Sequence, residues 1–228
     1  MIITEEKTDI MLKMDVLAEL RFEPSVKLTD IGVLVKDGVV TLNGSAANYG
    51  DKLNAVRAVK RVAGVMAIAD DIEVCLPEFG RHSDSDIAAA AAHRINWSTE
   101  IPPGAIEVTV REGRITLEGA VEWGYQKHAA ESAVQNLVGV KSVSNEIEVK
   151  PAEIPEEIEK NLTFAIKRNA ILDNTDIRVK ASGSVVVLKG KVHNHTEMEE
   201  VVRLAWAAPG VHTVDNQLKV EWFWGLAD

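Results

Sequence analysis

IGVLVKDGVVTLNGSAANYGDKLNAVRAVKRVAGVMAIADDIEV runs from Ile31 to Val74, and the chain contains it three times. Shifting by 75 lands on Ile106 to Val149, and a further 71 on Ile177 to Val220, with no gap inside any copy. Leu42, Leu117 and Leu188 share a column, as do Gly44, Gly119 and Gly190, and Gly64, Gly139 and Gly210. A repeat of this length is one structural unit used several times. Ile31, Val33 and Val35 alternate with Gly32, Leu34 and Lys36, the period of a strand with one buried face. Asp37-Gly38 and Glu112-Gly113 supply hairpin turns. Ser182-Gly183 falls one place earlier, which predicts a different turn type in the third copy.

The second strand places Val40, Leu42, Gly44 and Ala46 on one face. A glycine there marks close backbone approach, and the expectation is that a helix packs directly over it. Ala55, Ala58, Val59 and Val62 then follow at i, i+3, i+4 and i+7, one apolar stripe of a helix. Gly64, Gly139 and Gly210 are expected to end these helices as left-handed caps. Val65, Ile68, Ile72 and Val74 make a third strand.

A leading helix precedes each copy. In the first, 9–20, the expected buried side is Ile10, Met14 and Leu17, with Asp9 in the first turn. Ser83-Asp84-Ser85-Asp86 caps the second, with a stripe at Ile87, Ala91 and Ile95. The third buries Ile158, Leu162, Ala165 and Ile166. The expected fold class is therefore α+β: three tandem α-β-β-α-β units, each with two helices on one face of a three-stranded sheet. The divisions are 1–76, 83–150 and 155–221, then an aromatic tail at 222–228. The other sheet face is polar at Thr41, Asn43, Thr116, Glu118 and Lys189, and apolar at Val39, Val185 and Val187.

The net charge of −10 is spread evenly, −3 over 1–76, −4 over 77–150 and −3 over 151–228. That weighs against nucleic acid and against simple attachment to anionic lipid. Lys52, Arg57, Lys60 and Arg61 line one helix and are expected to be a solvated face. Cys75 is the only cysteine, so no disulfide forms within the chain. No stretch is long and apolar enough to span a membrane. The opening residues MIITEEKTDIMLKM lack a basic start followed by a clean apolar run, so a cytoplasmic location is expected.

The order of amphipathic helix, V-x-V strand, G-x-V-x-L-x-G, Ala-rich helix and G-V-x-x-V resembles the BON domain, named for osmotically induced periplasmic and nodulation-associated bacterial proteins. In the second unit the carriers are Gly113, Ile115, Leu117, Gly119, Gly139, Val140, Val143 and Val149. The resemblance implies a non-enzymatic module of stress or envelope proteins that binds phospholipid or other proteins.

No catalytic residue, cofactor or metal is expected, since no phosphate loop, dinucleotide fingerprint or nucleophile elbow is present. His193, His195 and Glu197 form a His-x-His with an acid, but Ala47, Tyr49 and Asp51, then Glu122, Gly124 and Gln126, hold those columns elsewhere. They are expected to be a polar loop. Asp70-Asp71 matches Asn145-Glu146 and Asn216-Gln217, which points to turn chemistry. The candidate binding residues are Trp123 and Tyr125, and Trp222, Phe223 and Trp224 of the tail. The expected function is a stress-related scaffold that engages other proteins, with phospholipid as the alternative partner.

Overall fold

The computed structural model describes residues 7–77, 82–150, 157–172 and 176–221. The first module is α1 (Asp9–Arg21), β1 (Ile31–Lys36), β2 (Val39–Ala46), α2 (Tyr49–Arg61) and β3 (Ala67–Val74). The second is α3 (Asp84–Asn96), β4 (Ile106–Arg111), β5 (Arg114–Val121) and α4 (Gly124–Val134). Its third strand comes in two pieces, β6 (Ser142–Asn145) and β7 (Glu148–Val149). The third is α5 (Ile158–Lys167), a 3-10 turn at Ala170–Leu172, β8 (Asp176–Ser182), β9 (Val185–Val192), α6 (His195–Ala207) and β10 (Thr213–Val220).

In each sheet the hairpin's second strand is central. β1 and β2 run antiparallel from Ile31↔Gly44 to Lys36↔Val39, and β2 and β3 run parallel from Val39↔Ala67 to Ala46↔Val74. The other modules repeat this register, with Ile106↔Gly119 and Ile177↔Gly190. The parallel pair needs a crossover, which α2, α4 and α6 supply. Val40, Leu42 and Ala46 close on Leu12, Val16 and Leu20 of α1 and on Ala55, Ala58 and Val59 of α2. Burying a side chain such as Leu42 contributes about 1.5–3 kcal/mol.

The turns follow from backbone conformation. Asp37 (φ +51°) and Gly38 (φ +74°) are both left-handed, as are Glu112 (φ +54°) and Gly113 (φ +77°), the type I′ pattern. In the third module only Gly183 (φ +58°), the first central residue, is left-handed, so the turn is of the II′ kind. A carboxylate from each leading helix holds its hairpin. Asp9 accepts from the Asp37 and Gly38 N–H groups at 2.9 and 3.1 Å, and Asp84 from Glu112 and Gly113 at 2.7 and 2.9 Å. Glu159 accepts from Ala181 at 3.1 Å.

Three local expectations are corrected. Gly44, Gly119 and Gly190 do not lie under a helix. Their φ values are +118°, +132° and +138°, and a Cβ on each would stand 2.0–2.1 Å from the carbonyl oxygen of Asp30, Ala105 or Asp176. The chain entering the first strand crosses them, and the Ser45 N–H donates to the Asp30 carbonyl at 2.9 Å.

Gly64, Gly139 and Gly210 are left-handed, but their helices have already ended. Each is the third residue of a turn closed by Val65 N–H to Val62 O, Val140 to Leu137, or Val211 to Ala208. Positive φ at that position is the type II signature, and Pro209 fills the second position of the last turn.

In α1 the buried stripe is Leu12, Val16 and Leu20, with Leu17 half-buried against the same core, while Ile10 and Met14 are 76% and 65% exposed. The helix carries two apolar stripes, and periodicity alone does not choose between them. The α3 cap is as expected, with Ser83 and Asp86 bonding each other's backbone and Ile87, Ala91 and Ile95 buried. In α5, Ile158, Leu162 and Ile166 are buried and Ala165 is half-buried.

Candidate binding surface

The crossover helices α2, α4 and α6 bring the three modules together, and two repeat columns build every seam. The first column is Tyr49, Gly124 and His195, at the first turn of each helix. The second is Lys60, Gln135 and Trp206, near its end. Each module offers its first column to the next module and receives the second column from it.

Between the first and second modules, Tyr49 packs against the second core and Gln135 accepts from Arg57 at 3.2 Å. Burial raises the Tyr49 pKa. Between the second and third, Trp206 packs on both cores and lies over Gly124, where a Cβ would meet its ring at 2.6 Å. The Trp206 ring meets His128 edge-on, with centroids 6.4 Å apart. Between the third and first, His195 Nε2 stands 3.2 Å from the Met66 carbonyl oxygen, and Lys60 forms an ion pair with Glu199. The contacts are heterologous and close on themselves, the arrangement that makes a ring.

A cleft of about 790 Å³ opens where the three helices converge. The same columns line it from each module: Leu53, His128 and Glu199, then Val56, Glu131 and Val202, then Arg57, Ser132 and Arg203. Its cations are engaged within the protein. Arg203 makes two bonds to Glu200 at 2.6 and 2.7 Å, and this pairing holds the Glu200 carboxyl below the usual range. Arg57 donates to Asn54 and Gln135. Desolvation lowers the His128 pKa.

The row Lys52, Arg57, Lys60 and Arg61 stays at the surface, with Arg57 and Arg61 exposed, but each member is paired. Lys52 reaches the Ile72 carbonyl and Asp70, and Arg61 reaches Glu19 and Glu23. Arg57 and Lys60 reach other modules. His193 and His195 part company, since His193 Nδ1 lies 3.0 Å from Glu197 while His195 turns to the first module. Among the described residues no three His, Cys, Asp or Glu side chains stand close enough to hold a metal. Asp70, Asn145 and Asn216 accept from the backbone N–H two residues on, which is turn chemistry.

Trp123 caps α4 half-buried, and exposed Tyr125 lies beside it with ring centroids 6.2 Å apart. The Gln126 side chain accepts from the Glu122 and Trp123 N–H groups and fixes that loop. Trp222, Phe223 and Trp224 lie outside the described residues. A further apolar surface, outside the candidate binding residues, lies on α1. Ile10, Met14, Ala18 and Phe22 recur every fourth residue on its exposed side, and Met11 adjoins them, with Phe22 84% and Met11 51% exposed. Trp97 holds the Phe22 column at the end of α3, is 78% exposed and stacks on His93 at 5.0 Å. The signal was the stripe itself, assigned to the wrong side of the helix.

No helix among the described residues is long and apolar enough to cross a membrane. A curated relative, osmotically-inducible protein Y of Escherichia coli (strain K12), is 28% identical over 146 residues, covering 62% of this chain and 73% of its own. Among solved structures, CdsD, a structural protein of the type III secretion system of Chlamydia trachomatis, is 14% identical, with 91% of each chain covered and a TM-score of 0.26. The PrgH periplasmic domain is 10% identical, with 91% of this chain and 99% of its own covered and a TM-score of 0.22. Superpositions that loose carry no argument.

The relative overturns the expectation of a cytoplasmic protein. It and its family belong among periplasmic and secreted proteins, and nothing in the comparisons speaks for the cytoplasm. The relative is named for its osmotic induction, and the BON family is generally non-enzymatic. The BON domain description matches residues 8–75, 83–151 and 156–221, and with nearly the whole sequence so covered, the chain belongs to the BON domain family.

Proposed function

We propose that the protein is a non-catalytic scaffold of the osmotic stress response that engages other proteins through the outward stripe of α1. The observation that carries this reading is the unspent face of that helix. Leu12, Val16 and Leu20 serve its own core, and α1 packs on β1 and α2 of its own module. Ile10, Met14, Ala18 and Phe22 remain, anchors at the spacing a helix presents to a partner's groove. Contiguous apolar surface of this kind marks an interaction site, and methionine adapts to irregular partners.

Phospholipid is the second reading. Phe22 and Trp97 favour it, because they leave large aromatic rings 84% and 78% exposed at the ends of α1 and α3. The net charge of −10 opposes an anionic lipid surface.

A photo-cross-linking residue at position 14 of the full chain separates the two. It is expected to trap discrete protein bands in osmotically stressed cells, and Met14→Glu is expected to lose binding to those proteins with an unchanged melting curve. Co-sedimentation with phosphatidylglycerol vesicles that is lost in Met14→Glu, with no protein trapped, would establish the lipid reading instead.

A further inference from the structure

We propose that the ring opens at the seam between the first and third modules, and that ionic strength governs the opening. The two seam columns make the three junctions unequal. Tyr49 serves the first junction and Trp206 the second, and both rings are packed on the core of the second module. At the third junction the same columns hold His195 and Lys60. Among the described residues, no buried or half-buried apolar side chain of the third module packs on the core of the first, and none of the first on the core of the third.

Among the described residues, the ion pair and the hydrogen bond at this junction are open to water. Lys60 and Glu199 keep 31% and 53% of their side-chain exposure, and Met66, whose carbonyl faces His195, is 62% exposed. An ion pair so exposed is weakened by salt within the Debye length, whereas packed aromatic rings are not. The first and third modules are also the pair that no linker joins directly. Separation at this seam carries Lys60 away from His195, Thr196 and Glu199. These residues line the axial cleft together, so the cleft widens into a groove on that side.

The test uses the full chain with Cys75→Ser and pairs of spin labels at three exposed positions, one per module: Lys13→Cys, Arg111→Cys and Lys180→Cys. Distances are measured at about 20 mM and about 500 mM sodium chloride, where the screening length falls several-fold. The 13–180 distribution is expected to lengthen and broaden in high salt, while 13–111 and 111–180 stay narrow and unmoved. Glu199→Gln is expected to broaden 13–180 already in low salt, with 13–111 and 111–180 reporting that the modules remain folded. Three distances that lengthen together, or a 13–180 distance fixed in both salts, would overturn the proposal. A Glu199→Gln chain as narrow as its parent in low salt would overturn it equally.

Discussion

A methyl group on Gly119 would stand 2.1 Å from the Ala105 carbonyl oxygen, and the residue sits at φ +132°, where L side chains are strained. Both costs fall on any substitution there. Gly119→Val should lower the stability of the second module by about 3 kcal/mol or more, since strain and overpacking each cost about 1–3 kcal/mol. The denaturant midpoint measures it. Gly104→Ala is the control, because φ is +73° there but no atom stands within 4 Å. Its cost should be about 1–2 kcal/mol, from backbone conformation alone. Asp84 makes a second test at this scale. Its carboxylate receives both N–H groups of the Glu112-Gly113 turn, and Asp84→Ala should cost about 1–2 kcal/mol. Hydrogen exchange at Glu112 and Gly113 should accelerate with it.

Which face of a helix is buried decides the effect of every substitution on it. On α1, Leu12→Ala should cost about 2–5 kcal/mol, and Met14→Ala less than about 0.5 kcal/mol, although the residues are two apart. Urea unfolding of the two variants reads the difference. The order of elements along the chain and the turn positions were legible in the sequence because the three copies agree on each column. The buried side of α1 was not, because that helix precedes the aligned stretch and carries apolar residues on both sides. The glycine column was correctly marked as a close approach, but sequence spacing does not reveal which segment approaches. The seams were not legible, because Tyr49, Gly124 and His195 differ within their column, but so do Asn43, Glu118 and Lys189 on the open sheet face. The pairing of the basic row on α2 was not legible either, since two of its partners sit in modules far along the chain.

The three modules should stand or fall together where an aromatic ring joins them. Trp206 serves two cores, so Trp206→Ala should lower the stability of the second and third modules together, by about 2–4 kcal/mol, somewhat under the figure for a fully buried tryptophan. The same seam carries a pH dependence. Desolvation is the largest influence on His128 and lowers its pKa; Glu131 opposes this and Lys127 adds to it. The folded state therefore favours the neutral ring, while the unfolded chain takes up a proton near pH 6.5. Stability from this group is fully present above about pH 6.5 and is lost as pH falls through the lower folded value. Melting temperature should drop between about pH 7 and about pH 5, and less so in His128→Gln.

A heterologous seam has two different halves, and when it parts both halves are still carried by the same chain. The third module then presents His195 and Glu199, and the first presents the Met66 carbonyl and Lys60. The first module of one molecule fits the third module of another as well as its own. Two opened molecules would close into a six-module circle, and longer chains would add head to tail. At low protein concentration the intramolecular partner wins. Crowding many copies into one compartment shifts the balance toward exchange between neighbours, so a self-contained monomer and a polymer are two outcomes of one contact.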